Sequence, residues 1–494
     1  MTVAETVDAA APTSPRRRPS NKLLLGLVCA VHAVAPLLLI GPHFWYEWDE
    51  TVYISQVSRQ APAGLFTAPR ARGLPMLLAP VTELTTSTVA LRIYLTLLSS
   101  VLMYAAFRPW LRLRPGLAVP LAAGLFTTLW TALYYGFEAM PNFYVAVGAV
   151  AAVACCLLAV RTPTARRYLW LLAGWVAFVG LMRPSDAVYL AVPLVVIVLL
   201  HRAVPGRERL VVVSALVGGL ALGCSEWVVE AYTSYGGLMQ RLHSASAEND
   251  SGIHMSLLLE ARAAGGPTLC RPCTRALSPP TFAWWFAVPP LAALGIYAAH
   301  KRRQMWLAWT PTIVALALLL QYIVTIDYAA QRFLLPTYAL LSLPVVDGCI
   351  ALYDALRRRW TPRAAAASLA VVLVAHVVIQ LGVLERGVVA KETRSRLQYL
   401  SVAAALHRLG VTAPCVVVGY YAAPIAFADG CTDVPTISHR TAVQAIARRG
   451  AETVVVLTTS PAPAHDFYAD WRHQQLQGRH LAHAWFAHVH PMAR

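Results

Sequence analysis

The residues best placed to do chemistry lie in His43-Phe-Trp-Tyr-Glu47-Trp-Asp49-Glu50-Thr-Val-Tyr53, where three carboxylates stand among aromatics. An apolar run, 23–42, comes just before them and is long enough to cross a bilayer. Carboxylates at the mouth of a span are costly unless they meet water, bind a cation or react. Asp49 is the candidate general base and Glu50 a candidate partner holding acceptor or cation, while Glu47 reads as a solvated neighbour.

Such a site needs a polytopic frame, and the composition supplies one. Of 494 residues, 57% are hydrophobic and only 13% charged. A soluble domain carries about 25% charged residues. Apolar runs fall near 23–42, 86–107, 117–134, 143–160, 168–182, 187–201, 209–229, 281–299, 305–325, 333–355 and 364–384, giving about 11 spans. The connections 108–114, 161–167, 202–209, 301–303 and 357–363 are short and basic, as cytoplasmic loops are. They carry most of the net charge of +17, and no basic stripe on a soluble domain suggests nucleic acid. Residues 1–22 read as a cytoplasmic basic tail, 23–385 as the membrane domain, and 386–494 as an extracytoplasmic α/β domain. In that last segment Cys415–Gly419 and 453–457 read as strands, and 394–409 and 439–449 as helices.

The loops assigned outside are 43–85, 135–142, 183–186, 231–280 and 325–332. They bring Arg72, Glu138, Arg183, Asp186, Asp327 and Arg332 to the same face as Asp49. Arginines there suit a lipid phosphate, and a carboxylate suits deprotonation of a hydroxyl. The plainer alternative is that Glu138, Asp186 and Asp327 cap helices or sit in turns, and that Arg183 and Arg332 snorkel to headgroups. Four cysteines on the outer side pair plausibly as Cys270–Cys273 and Cys415–Cys431, and the other five read as packing residues. Cys-x-x-Cys could also serve redox chemistry or half a zinc site, but no second ligand pair accompanies it.

In order, the chain offers Trp48-Asp49-Glu50, Arg72-Gly-Leu-Pro75, Met140-Pro-Asn142, Arg183-Pro-Ser185 and Arg332-Phe-Leu-Leu-Pro336. This set resembles the GT-C superfamily of multi-pass glycosyltransferases, nearest the ALG9/PIG-B-like mannosyltransferases and the protein O-mannosyltransferase/ArnT-like enzymes. The resemblance implies a helical polytopic membrane fold with a small C-terminal α/β domain. It also implies inverting transfer of a sugar, mannose or another hexose or pentose, from a polyprenyl-phosphate donor. The acceptor would be a hydroxyl of a glycan, lipid, protein or small molecule at the extracytoplasmic face. Asp49 and Glu50 would be catalytic; Arg72, Arg183 and Arg332 would bind the donor phosphate; Glu138, Asp186 and Asp327 would serve the acceptor or a cation. No dedicated metal site is expected, although a divalent cation, Mg or Mn, could assist. The rival class is a transporter or flippase, which places ionisable groups at the bilayer midplane, often within paired repeats. A non-catalytic scaffold, or another lipid-linked enzyme such as a ligase or phosphotransferase, is the third class.

Overall fold

The computed structural model describes residues 20–162, 164–419, 421–434, 440–461 and 466–490, so most of the N-terminal basic tail lies outside the described residues. Eight helices among them are long and apolar enough to span a membrane: Asn21–Leu39, Thr88–Leu113, Pro141–Arg161, Gly206–Ser234, Pro279–Lys301, Met305–Thr325, Gln331–Leu356 and Pro362–Arg408. Two shorter apolar helices, Arg167–Met182 and Pro184–Leu200, occupy the predicted spans on either side of Arg183.

Local chemistry fixes the helix starts. Ser20, Ser87 and Thr361 each accept a hydrogen bond from a first-turn N–H, and Pro141, Pro184 and Pro362 stand at first positions. The helix Pro141–Arg161 is buried along nearly its whole length and forms the axis of the bundle. Close crossings elsewhere depend on small residues. A Cβ at Gly223 would stand 2.3 Å from the Ala177 carbonyl oxygen, and one at Gly348 2.0 Å from that of Leu291.

The expected span 117–134 is corrected to a broken one. Helices Ala118–Thr127 and Trp130–Phe137 meet at 76°. No proline or glycine marks this break. The Thr127 and Thr128 hydroxyls donate back to the Gly124 and Leu125 carbonyls at 2.9 and 2.7 Å. The Trp130 N–H, freed by the break, donates to Gln380 Oε1 at 3.1 Å.

The last long helix passes through a π-helical segment, Val383–Val389, and continues to Arg408 without a break at residue 385. It carries a five-stranded sheet of order β2-β1-β3-β5-β4: β1 Cys415–Val418, β2 Thr432–Val434, β3 Thr453–Thr458, β4 Arg472–Leu476 and β5 Trp485–His490. β1 pairs in parallel with β2 and β3, whereas β3–β5 and β5–β4 are antiparallel. The two Val-rich runs read from the sequence are the central strands β1 and β3, buried on both faces. The polar strand β4 carried no such signal. Both cysteine pairs are joined as disulfides, Cys270–Cys273 and Cys415–Cys431. Cys29, Cys155 and Cys156 are buried thiols, and Cys224 and Cys349 are half-buried.

Candidate active site

The helix Trp48–Ser55 carries Asp49 and is held by a reciprocal cap. Glu47 Oε2 accepts the Asp49 N–H at 2.9 Å, and Glu50 Oε2 accepts the Glu47 N–H at 3.0 Å. Glu47 is therefore a half-buried cap, not the solvated neighbour expected. Burial, reinforced by the charges of Asp49 and Glu392, pushes its carboxyl up to about 8.

Asp49 stands between two guanidinium groups from different parts of the chain. Arg70 Nη2 reaches Oδ1 at 2.7 Å, and Arg332 Nη2 reaches Oδ2 at 2.9 Å. Burial acts against the carboxylate, but Arg70 and Arg332 outweigh it and hold Asp49 below the ordinary range. The side chain keeps 15% exposure, so a reactant can still reach it. Each arginine has its own support. Arg70 packs over the Trp48 and Tyr53 rings at 5.3 and 5.0 Å. The turn carrying Arg332 is pinned by Glu260, which accepts the Ala330 N–H at 3.2 Å and the Gln331 Nε2 at 2.8 Å. Removing that carboxylate with Glu260→Ala leaves buried donors unpaired, at a cost of about 1–3 kcal/mol. Thermal unfolding of the purified variant should show the corresponding loss.

Arg183 lies nearby. It pairs with Asp186 at 3.0 Å and packs over the Tyr322 and Phe333 rings, and its charge contributes to holding Asp49 ionised. Asp186 is buried and also accepts the Tyr322 hydroxyl.

Glu50, expected to hold acceptor or cation, does not share this pocket. It is fully buried, and both oxygens are occupied. Arg92 grips it from two nitrogens at 2.6 and 3.0 Å, Arg396 adds a contact at 3.1 Å, and the Ala139 N–H donates at 2.8 Å. Burial would raise its carboxyl, but the two arginines bring it to about 2. Glu138 joins the same buried cluster, 3.2 Å from Arg396 and 3.7 Å from Arg92. Burial drives the Glu138 carboxyl well up, toward the neutral form. Arg396 ties the C-terminal helix into this cluster.

Two further candidates from the sequence stand apart from Asp49. Arg72 turns to Glu230, 2.6 Å away, and to Gln56, so it does not reach Asp49. Asp327 is exposed, with no hydrogen bond or ion pair among the described residues. Sequence reasoning missed Arg70, two residues from the arginine chosen, and Arg396. It also missed Arg92, although a charge inside the apolar run 86–107 was a signal of its own.

No family model and no curated protein matches the chain. Solved structures do. ArnT from Cupriavidus metallidurans bound to undecaprenyl phosphate superposes with a TM-score of 0.64 at 12% identity, over 95% of this chain and 98% of that one. The fold is that of the GT-C membrane glycosyltransferases. A second GT-C structure is the archaeal oligosaccharyltransferase AglB from Archaeoglobus fulgidus, in complex with an inhibitory peptide and a dolichol-phosphate. It superposes with a TM-score of 0.54 at 13% identity, over 88% of this chain and 69% of that one. The Archaeoglobus enzyme has also been solved with zinc and sulfate, and that structure superposes with a TM-score of 0.53 at 13% identity, over 88% of this chain and 68% of that one.

Among the described residues no three His, Cys, Asp or Glu side chains gather as ligands, and each Asp49 oxygen already meets a guanidinium.

The acidic groups set opposite pH trends. Glu50 is more acidic folded than unfolded, so its contribution is present above about 4.5 and is lost as pH falls toward about 2. Glu47 and Glu260 are less acidic folded, near 8, so stability declines as pH rises from about 4.5 through 8. Thermal unfolding of the purified protein should therefore be highest on the mildly acidic side and fall toward pH 9.

Proposed function

We propose that this protein is a membrane glycosyltransferase that moves a sugar from a polyprenyl-phosphate donor to an acceptor hydroxyl at the extracytoplasmic face. The observation that carries this is Asp49, partly accessible, shared by Arg70 and Arg332 within a GT-C fold. The donor phosphate competes with Asp49 for the same guanidinium groups, and Arg183 adds a third positive charge beside them. As the phosphate takes the arginines, the carboxylate loses the charges that hold its basicity down. Asp49 then accepts the proton of the acceptor hydroxyl while that oxygen bonds to the sugar C1. The C1–O bond to phosphate breaks, and the lipid phosphate leaves with the electron pair against Arg332 and Arg70. Attack opposite the leaving group inverts the anomeric centre. Donor activation and base activation are thus one event, which limits wasteful reaction with water.

The outward orientation is supported by the basic loops and by the Cys270–Cys273 disulfide, whose Cys270 pairs with Ala329 beside the Arg332 turn. A transporter would need its charges near the midplane of a rocking repeat, whereas these gather at helix ends. Incubating the purified protein with labelled polyprenyl-phosphate sugars tests the reading. Release of polyprenyl phosphate with retention of label on an acceptor is expected; absence of donor consumption across hexose and pentose donors contradicts it.

A further inference from the structure

A groove of about 390 Å³ opens between residues 65–72 of the first outer loop and the segment Glu230–Glu248. Its charges are unevenly committed. Arg72 spends its guanidinium on Glu230, at 2.9 and 2.6 Å, and on Gln56 at 3.1 Å. Arg241, fully buried behind this wall, donates to Glu230 at 2.7 Å and to the carbonyls of Ala68, Trp227 and Arg70. Neither guanidinium is left for an anion. Glu248 on the opposite side has no ion pair among the described residues and accepts the Thr67 hydroxyl across the groove, and the Ser244 hydroxyl beside it has no hydrogen bond among them. The groove therefore presents a carboxyl and hydroxyls, with no uncommitted cation.

Its wall also touches the arginine that holds Asp49. Thr67, on the groove wall, accepts from Arg70 Nε at 3.2 Å, and Arg70 holds Asp49 Oδ1 at 2.7 Å. Asp49 Oδ2 faces Arg332 instead. The two oxygens of the proposed base thus look toward two different walls, one lined by the groove loop and the other by the arginine turn.

We propose that this groove is the acceptor subsite and that it selects a neutral, polyhydroxylated acceptor, the hydroxyls of an uncharged glycan, over an anionic one. Glu248 and Ser244 take hydroxyl donors and acceptors from the glycan, and the committed arginines leave a uronate or phosphate without a partner. The inference rests on the transferase reading, with the arginine pair at Asp49 serving the donor.

The test uses the purified full-length protein on an array of neutral oligosaccharides and their uronate-bearing counterparts, with undecaprenyl phosphate as a separate probe of the donor side. Wild-type protein should retain neutral glycans and pass over the uronates. Ser244→Trp, which fills the groove, should weaken that retention by about tenfold or more, and Glu248→Gln by a smaller factor. All three proteins should be stabilised equally by undecaprenyl phosphate. The proposal is overturned by retention of uronates as good as that of neutral glycans, by no retention of neutral glycans, or by a Ser244→Trp protein that retains them like wild type. Failure of undecaprenyl phosphate to stabilise wild-type protein would instead count against the transferase reading.

Discussion

Glu50→Ala should destabilise the protein by about 3–5 kcal/mol, the range for stripping one partner from a buried ion pair. The reason is that Glu50 is enclosed. Arg92 and Arg396 each point a guanidinium at it, and neither has water to turn to. Both arginines also donate to main-chain carbonyls of the first outer loop, Arg92 to Phe44 and Trp45 and Arg396 to Trp45. Losing the carboxylate therefore loosens the segment that carries Asp49 as well as the root of the C-terminal helix. Glu50→Gln keeps the shape and some hydrogen bonds and should cost less. Thermal unfolding in detergent separates the two variants, with Ala the lower. A Glu50→Ala protein that unfolds with wild type would show that the arginines find other partners.

Asp49→Asn should lower sugar transfer by roughly two to four orders of magnitude, the usual contribution of a positioned general base. The amide is nearly isosteric and sits in a partly exposed pocket, so the fold should persist. The amide keeps one hydrogen-bonding oxygen and loses the negative charge that both Arg70 and Arg332 now share. Transfer assayed at saturating donor reads the chemical defect apart from binding.

How far the sequence reached depends on where the signal lay. Asp49 was legible because an acid among aromatics at a span exit is expensive and needs a reason. Arg332 and Arg183 were legible from short motifs at turns. The choice of Arg72 over Arg70 was not resolvable. Both lie in one loop, and only the local turn decides which guanidinium meets Asp49. Arg70 N–H bonds back to the Thr67 carbonyl at 3.1 Å, and Arg72 caps the helix Gly73–Thr82 facing the distant Glu230. Glu50 looked like a second catalytic acid because adjacency in sequence hides direction. On a helix, neighbours diverge by about 100°, and here one faces the pocket and the other the core. Arg396 reaches Glu50 from 346 positions away, and nothing in its own segment marks it. The broken span at 128–129 was invisible for the same reason, since its stabilising partner, Gln380, arrives from the far end of the chain.

The competition between phosphate and Asp49 for the same arginines is the centre of the proposed mechanism, and one measurement addresses it. Undecaprenyl phosphate binding to the purified Asp49→Asn protein should be at least as tight as to wild type, because two guanidinium groups are released from their internal carboxylate, while sugar transfer by that protein is lost. Weaker binding by Asp49→Asn, or transfer at the wild-type rate, would contradict it.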